Sequence, residues 1–292
     1  MTLYGFDVSS AQRGLDVGTL PADYVIIKCT GGIGYLNPFF QQQLASAKSA
    51  GMRTALYHYA GDYNPGSAAQ EAEWYLQNAL PYLDGTVIPI LDWEEGGNPN
   101  VDNDSYALEF CNRVRDSSGI NPMAYADMAH IFHLAPCYNS GVPIWVAAYT
   151  LGYTRIDGYT VPQGPIGNTY GIVPVMWQFT SSGYLPGWDR GLDLNIFYGD
   201  GAAWDQLAAK NGIIIPQGDT TGDEMTPEQM YELKVWTQTV ANENADRVIN
   251  DNREKITAAK IEILQAVAKV SPVIGNFSVS GTLAITDEQN TS

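Results

Sequence analysis

The sequence is short of positive charge. Fifteen Lys and Arg face 32 Asp and Glu over 292 residues, a formal net charge of −17. Phosphate binding depends on clustered cations, so this balance argues against nucleic acid as the partner. It also argues against a polybasic contact with a membrane surface. Histidine is scarce, with three residues. The three cysteines, Cys29, Cys111 and Cys137, are an odd number and far apart. No metal-ligand spacing is present, so neither a metal nor another cofactor is expected. The cysteines read as reduced packing residues of a protein made in the cytosol. No apolar run approaches the roughly 20 residues needed to span a bilayer, so membrane insertion is not expected. After Met1 the chain enters a strand-like segment at once, with no basic stretch or apolar leader, so no signal peptide is expected either.

What is present is apolar and aromatic. Hydrophobic residues make up 45% and charged residues 16%, which fits a globular protein with a substantial core. The length allows one large domain with an appendage, or two domains. Eighteen Tyr and seven Trp supply flat apolar faces with a polar edge, which suit sugar rings. Large α/β cores use the same residues for packing, and on composition alone that use is the commoner one.

Residues 1–214 alternate strand and helix signals. Strand-like runs are Leu3–Val8, Tyr24–Cys29, Thr54–Tyr59, Val87–Trp93, Pro122–Ala126, Ile144–Tyr149, Pro174–Phe179 and Gly191–Ile196. Amphipathic stretches lie at Pro38–Gly51, Ser67–Leu80 and Ser105–Ser117. Short apolar strands alternating with helices predict parallel βα units. Eight of them predict an α/β fold, a closed (β/α) barrel that is irregular because few connections look helical. The segment from Ala148 to Pro174, rich in Gly, Tyr and Pro, reads as a long loop. A Gly-, Thr- and Asp-rich linker spans 215–225. At 226–271 a long C-terminal helix is predicted, opened by Thr226 as N-cap, Pro227 at the first helical position and Gln229 closing a capping box. Residues 272–292 alternate apolar and polar and predict a short strand.

Acids punctuate the barrel strands. Val87–Glu95 reads V-I-P-I-L-D-W-E-E, an apolar run ending in Asp92 and Glu94. Residues two apart on a strand share a face, about 7 Å apart. In a barrel the carboxyl ends of the strands carry the chemistry. Buried acids are costly without partners, and two neighbours disfavour simultaneous ionisation, so one stays protonated near neutral pH. Glycoside hydrolysis needs such a pair: one group protonates the leaving oxygen and another stabilises the positive anomeric carbon. An ordinary strand end capping a neighbouring helix explains the segment equally well by itself. Two further strands carry acids, Asp7 in Leu3–Val8 and Asp193 in Gly191–Ile196. Chance accounts for one such case more easily than for three.

Several short motifs occur in a fixed order: Gly5-Phe6-Asp7-Val8-Ser9, Lys28-Cys29-Thr30, Tyr57-His58-Tyr59, Asp92-Trp93-Glu94, Trp145 to Tyr149, Trp177-Gln178 and Asp193. In this order and spacing the chain resembles glycoside hydrolase family 25, the lysozymes of bacteria and their phages. The family often has Glu after Lys-x-Thr, where this chain has Gly31; a supporting acid or a substrate contact is expected to be missing there. The resemblance implies an N-acetylmuramidase that cuts the β-1,4 bond from N-acetylmuramic acid to N-acetylglucosamine in peptidoglycan glycan strands. Glu94 would be the general acid, and Asp92 would orient the 2-acetamido group for attack on the anomeric carbon. Asp7 and Asp193 would complete the acidic pocket, with Lys28 and Gln178 as substrate contacts. Asp92-Trp93-Glu94 also fits family 18 chitinases, but the earlier acids of that motif are missing at Ile90 and Val87.

Tyr57, Tyr59, Tyr125, Tyr149 and Trp177 are candidate sugar platforms, and each could equally be packing. His58 lies between two tyrosines on a strand and faces away from them, which favours a structural histidine over a proton shuttle. Asp62 is a weaker candidate for the cleft wall. Glu95 points opposite to Glu94. The 226–271 helix carries an apolar stripe interrupted by Asn244 and Asn252; homo-oligomerisation through it is expected in preference to packing on the barrel. The setting these features suggest is a phage endolysin, released to the wall through a holin. Two alternatives are a non-catalytic carbohydrate-binding relative and a phage structural component carrying a lysin domain.

Overall fold

The computed structural model describes residues 2–164 and 166–210. The expected linker at 215–225, helix at 226–271 and strand-like tail at 272–292 lie outside the described residues. Among the described residues ten strands occur in chain order: β1 (Leu3–Val8), β2 (Tyr24–Gly31), β3 (Tyr35–Leu36), β4 (Arg53–Tyr59), β5 (Val87–Asp92), β6 (Met123–Asp127), β7 (Ile144–Ala147), β8 (Ile156–Asp157), β9 (Met176–Tyr184) and β10 (Leu192–Phe197). Five α-helices accompany them: α1 (Phe40–Ser49), α2 (Ala68–Ala79), α3 (Asp104–Ser118), α4 (Ala135–Asn139) and α5 (Gly201–Ala208).

Eight strands close a barrel in the order β1-β10-β9-β7-β6-β5-β4-β2, with β2 pairing back onto β1. All eight correspond to the predicted apolar runs. The two-residue strands β3 and β8 are additions at its rim, pairing with β2 and β9. The expectation of parallel βα units holds for seven barrel strands and fails for β10, which is antiparallel to both neighbours. Only seven residues join β9 to β10, and a parallel return needs a crossover of about a dozen or more. Helices α1, α2, α3 and α4 fill the connections β3–β4, β4–β5, β5–β6 and β6–β7. The β7–β9 connection has no helix, as the Gly-, Tyr- and Pro-rich loop predicted.

Side chains alternate between two layers, as strand geometry requires. Tyr24, Ile26, Ala55, Tyr57, Ile88, Ile90, Met123, Tyr125, Trp145 and Met176 pack inside the barrel. Val25, Ile27, Leu56, Val87, Leu91, Ala124, Val146 and Ile196 point outward into the helix layer. Strands buried on both faces read as continuous apolar runs, which is why they were legible. The amino-terminal end of the barrel is plugged by α5, whose Trp204 packs 4.5 Å from Tyr24 and 5.4 Å from Phe197. In the motif Gly5-Phe6-Asp7, the glycine faces inward two residues before the acid. A Cβ there would stand 2.4 Å from the Tyr24 ring, so only glycine lets β1 lie against it.

All three cysteines are buried and unbridged. His58, fully buried in the outer layer, has the structural role expected of it. Its Nδ1 lies 2.8 Å from the Thr30 hydroxyl and its Nε2 lies 2.9 Å from Glu71 Oε2. Burial pushes the imidazole towards its neutral form, against the pull of Glu71. A neutral ring donating through Nε2 leaves Nδ1 to accept from Thr30. Glu71 also accepts the backbone N–H groups of Gly61 and Gly66 at 2.9 and 2.8 Å, and thereby ties down the loop between β4 and α2. Burial alone would raise its pKa, but these donors hold it below the usual carboxylate value. Glu71→Ala strands three buried donors, and should lower the free energy of urea unfolding by about 3–5 kcal/mol. Glu109→Ala, which breaks an exposed pair with Arg113, should change it by less than about 0.5 kcal/mol. Equal effects would mean that the buried group does not hold the loop.

Candidate active site

The seven parallel strands deliver their carboxyl ends to one mouth, and the antiparallel β10 begins there. Asp193 is therefore brought to the mouth by the start of its strand. It pairs in register with Asp7 on β1. Asp92 closes β5 on the inward face, and Glu94 follows just past the strand end, half-buried. The four predicted acids thus share one site.

Their environment keeps protons on. Burial and then the charge of Asp193 push Asp7 well above the ordinary carboxylate range, against hydrogen bonds from Asn195 and Gln178 that favour its ionised form. Burial and then Glu94 do the same to Asp92, opposed by Lys28. Asp193 is pushed up to about 6 by burial and then by Glu94. Glu94 is raised by burial and then by Asp127, against the lowering influence of the neighbouring Tyr59 hydroxyl and Lys28. Four carboxyls in one low-dielectric mouth cannot all ionise near neutral pH, and the protons they share belong to the group. Asp92 Oδ1 is buried without a hydrogen-bond partner.

Neutral donors hold this cluster in place. Tyr125 and Tyr149 donate to Gln178 Oε1 at 3.0 and 2.6 Å. The Gln178 amide then donates to Asp7 Oδ2 at 2.8 Å. Asn195 donates to the same oxygen at 2.8 Å and accepts from Trp145 Nε1 at 3.0 Å. Tyr57 lies inside the barrel, where burial and then the Asp92 charge raise its hydroxyl pKa. Tyr59 packs above it and donates to the Gly96 carbonyl at 2.8 Å.

Lys28 points into the mouth, 4.5 Å from the Tyr59 ring centroid, and pairs with Asp62 at 2.5 Å. Asp62 therefore lines the wall, and it also explains Gly31. A Cβ at residue 31 would lie 2.9 Å from the Asp62 carboxylate, so Asp62 occupies the space that a side chain there would need. The space after Thr30 where the family often has Glu is thus bordered by an acid of the loop between β4 and α2.

Trp177 requires a correction. It does not face the mouth: its partners in register, Val146 and Ile196, both point outward, and its ring packs in the outer layer. Its Nε1 donates to the Ala148 carbonyl at 2.8 Å. The Trp-Gln dipeptide puts one residue on each face, and Gln178 took the inner one. Glu95 is exposed and lies 3.9 Å from His130.

Sequence reading missed Asp127 and Asn195. Asp127 ends β6 two residues after Tyr125, a spacing that marks the same inward face. It accepts from the His130 ring at 2.8 Å and lines a cleft of about 690 Å³ with Glu94, Tyr125, Tyr149, Tyr153 and Ser181. Among the described residues no group of three or more His, Cys, Asp or Glu is arranged to hold a metal ion, and no helix is long and apolar enough to cross a membrane.

The sequence matches the family Glycosyl hydrolases family 25 over residues 6–188. The chain belongs to glycosyl hydrolases family 25. It is 33% identical to the N,O-diacetylmuramidase of Chalaropsis sp over 143 residues, covering 43% of this chain and 66% of that protein. Its fold is like that of the bacterial lysozyme from Streptomyces coelicolor, with a TM-score of 0.56 at 21% identity over 72% of this chain and 98% of that one. It is also like the catalytic domain of endolysin ply40 from bacteriophage P40 of Listeria monocytogenes, with a TM-score of 0.55 at 20% identity over 71% of this chain and 98% of that one. For this family 25 chain, the raised pKa of Asp193 has a thermodynamic consequence. A carboxyl whose folded pKa lies above its unfolded one favours the fold at low pH, and that contribution is lost as pH rises through the folded value. Asp193→Asn should therefore raise Tm more at pH 8 than at pH 5, with the difference developing around pH 6. A Tm gain independent of pH would show that Asp193 is not held protonated.

Proposed function

We propose that this family 25 glycoside hydrolase is a lysozyme that cleaves the β-1,4 bond between N-acetylmuramic acid and N-acetylglucosamine in peptidoglycan, with Glu94 and Asp92 as its working pair. The observation that carries the reading is the unpartnered, buried Asp92 Oδ1 beside Glu94, whose pKa burial raises. An orphaned buried acceptor is costly, and a substrate amide N–H is the donor it lacks. Held by Asp92, the 2-acetamido group turns its carbonyl oxygen to the anomeric carbon and forms a bond there. The glycosidic C–O bond breaks, its electron pair goes to the leaving oxygen, and Glu94 supplies that oxygen with a proton. Water then opens the ring intermediate, and Glu94 takes back a proton. Asp7 and Asp193 place carboxyl oxygens beneath the developing positive charge, and Gln178, Tyr125 and Tyr149 keep Asp7 fixed. Tyr59, Tyr149 and Lys28 form the walls against which the sugars lie.

Glu94→Gln cannot donate the proton and should lower turnover on purified cell walls by about 10²–10⁴-fold, with unfolding unchanged. The wild-type rate should fall as pH rises through the raised pKa of Glu94. Mass spectrometry of the products should find new reducing ends on N-acetylmuramic acid. New peptide amino termini, or wild-type rates from Glu94→Gln, would overturn the assignment.

The setting we propose is a phage endolysin that reaches the wall through a holin; one solved domain of this fold is that of a phage endolysin. We also propose that the chain self-associates through residues 226–271, because an apolar stripe on a solvated helix must be covered. Light scattering should then give an oligomer for the full chain and a monomer for residues 1–214, and the shorter chain should still cut soluble glycan fragments. A monomeric full chain would overturn self-association.

A further inference from the structure

Tyr63 is exposed in a way that the fold does not require. It lies in the loop between β4 and α2, 79% exposed, with a backbone φ of +62° that an aromatic residue rarely adopts. Strain of this kind persists only where the surroundings impose it, and it concentrates at functional sites. Here both flanks impose it. Gly61 and Gly66 are held by buried Glu71, and Asn64 exchanges hydrogen bonds with Ile33 at 2.7 and 3.0 Å. The ring is equally fixed. It stacks on Tyr35 with 4.8 Å between centroids and 14° between planes, which leaves its other face open. Tyr35 is itself anchored, its hydroxyl donating to Ser10 at 2.9 Å and its carbonyl accepting from Trp74 at 2.9 Å.

The stacked pair is continuous with the acids. Lys28 lies 5.1 Å from the Tyr35 ring and 4.5 Å from the Tyr59 ring, and Tyr59 borders Glu94. In the sheet, β5 with its acids stands between β4, β2 and β3 on one side and β6, β7 and β9 on the other. Tyr149 and Tyr153 line the cleft on the second side. Tyr35 and Tyr63 stand on the first side.

We propose that Tyr63, backed by Tyr35, is the platform of a distal sugar subsite. It stacks an N-acetylhexosamine ring of a glycan strand on the side of Glu94 opposite the Tyr149–Tyr153 cleft. A pyranose presents an apolar C–H face that matches an aromatic ring, and a pre-stacked, strained ring loses little freedom when it binds. Asp62 and Lys28, at the foot of the pair, offer an acceptor and a donor to the sugar's amide and hydroxyls. The subsite rests on the muramidase reading and adds a grip on long strands, so that the enzyme cuts within them.

The test uses the full chain with Glu94→Gln, which binds without cutting, and purified peptide-free glycan strands as ligand. Tyr63→Gly removes the ring and suits the positive φ, so the loop keeps its path. It should raise the Kd for the strands about three- to tenfold, the range expected for one stacked ring. Tyr63→Trp should keep Kd within twofold of the parent. In the active chain, Tyr63→Gly should raise KM on the same strands by the same factor while kcat holds. A Kd unchanged within twofold in Tyr63→Gly overturns the subsite, and so does a tryptophan variant as weak as the glycine variant. Failure of the muramidase reading would appear separately, as no new reducing ends from the unmutated chain whatever Tyr63 binds.

Discussion

Four carboxyl groups repel one another in a mouth that water only partly reaches, and the rest of the fold is arranged to tolerate them. Each of Asp7, Asp92, Glu94 and Asp193 has its pKa raised first by burial. The cluster therefore exists near neutral pH as a partly protonated group. The barrel makes this possible because it fixes acids on separate strands. Asp7 and Asp193 face each other across a backbone ladder and cannot move apart without breaking it. Beneath them lies an apolar floor, sealed by Trp204 at the far end.

The choice of partners matters as much as the crowding. A cation inside the cluster would stabilise the ionised carboxyls and remove the proton that the chemistry needs. Asp7 is held instead by two amides, Gln178 and Asn195, and these are held by Tyr125, Tyr149 and Trp145. Such donors fix position at much smaller electrostatic cost than an ammonium would. Lys28, which does face the mouth, is diverted by Asp62 and by the rings on either side of it. The pairing needs glycine at position 31, because the Asp62 carboxylate fills the space of its missing side chain. Asp62 stands in the loop between β4 and α2, so that loop must be held for the pairing to form. The buried His58–Glu71 pair, on the outer face of the barrel, holds the loop in turn.

Most of the barrel was legible because its strands are buried on both faces and stand out as apolar runs between polar connections. Asp92 and Glu94 were legible through a period of two, and Asp7 and Asp193 through their places in apolar strands. That period puts Trp177 and Gln178 on opposite faces, so only one of these two candidates can face the mouth, and nothing in the dipeptide says which. The registers with Val146 and Ile196 decide that, and they are non-local. The direction of β10 was hidden for a similar reason: alternation does not encode polarity, and only the short β9–β10 connection constrains it. Asp127 could have been found by extending the Met123–Tyr125 alternation by one step. Asp62 at Gly31 could not, since it depends on a loop meeting the end of a strand distant in sequence.

The unpartnered oxygen of Asp92 gives the site a direction. Elsewhere in the mouth the polar groups answer one another, with the Tyr125 and Tyr149 hydroxyls on Gln178 and the amides of Gln178 and Asn195 on Asp7. Leaving one buried acceptor unanswered costs stability that a few changes could recover, for instance a donor on the neighbouring strand. A group that binds there with its own N–H removes that cost as it binds, so part of the recognition energy is already stored in the fold. Ligands without an amide at that place gain nothing from Asp92 and leave it stranded under a second layer of desolvation. On the proposed lysozyme reading, discrimination against sugars lacking the acetamido group follows from an acceptor with no partner, which is a stronger filter than the shape of an apolar pocket.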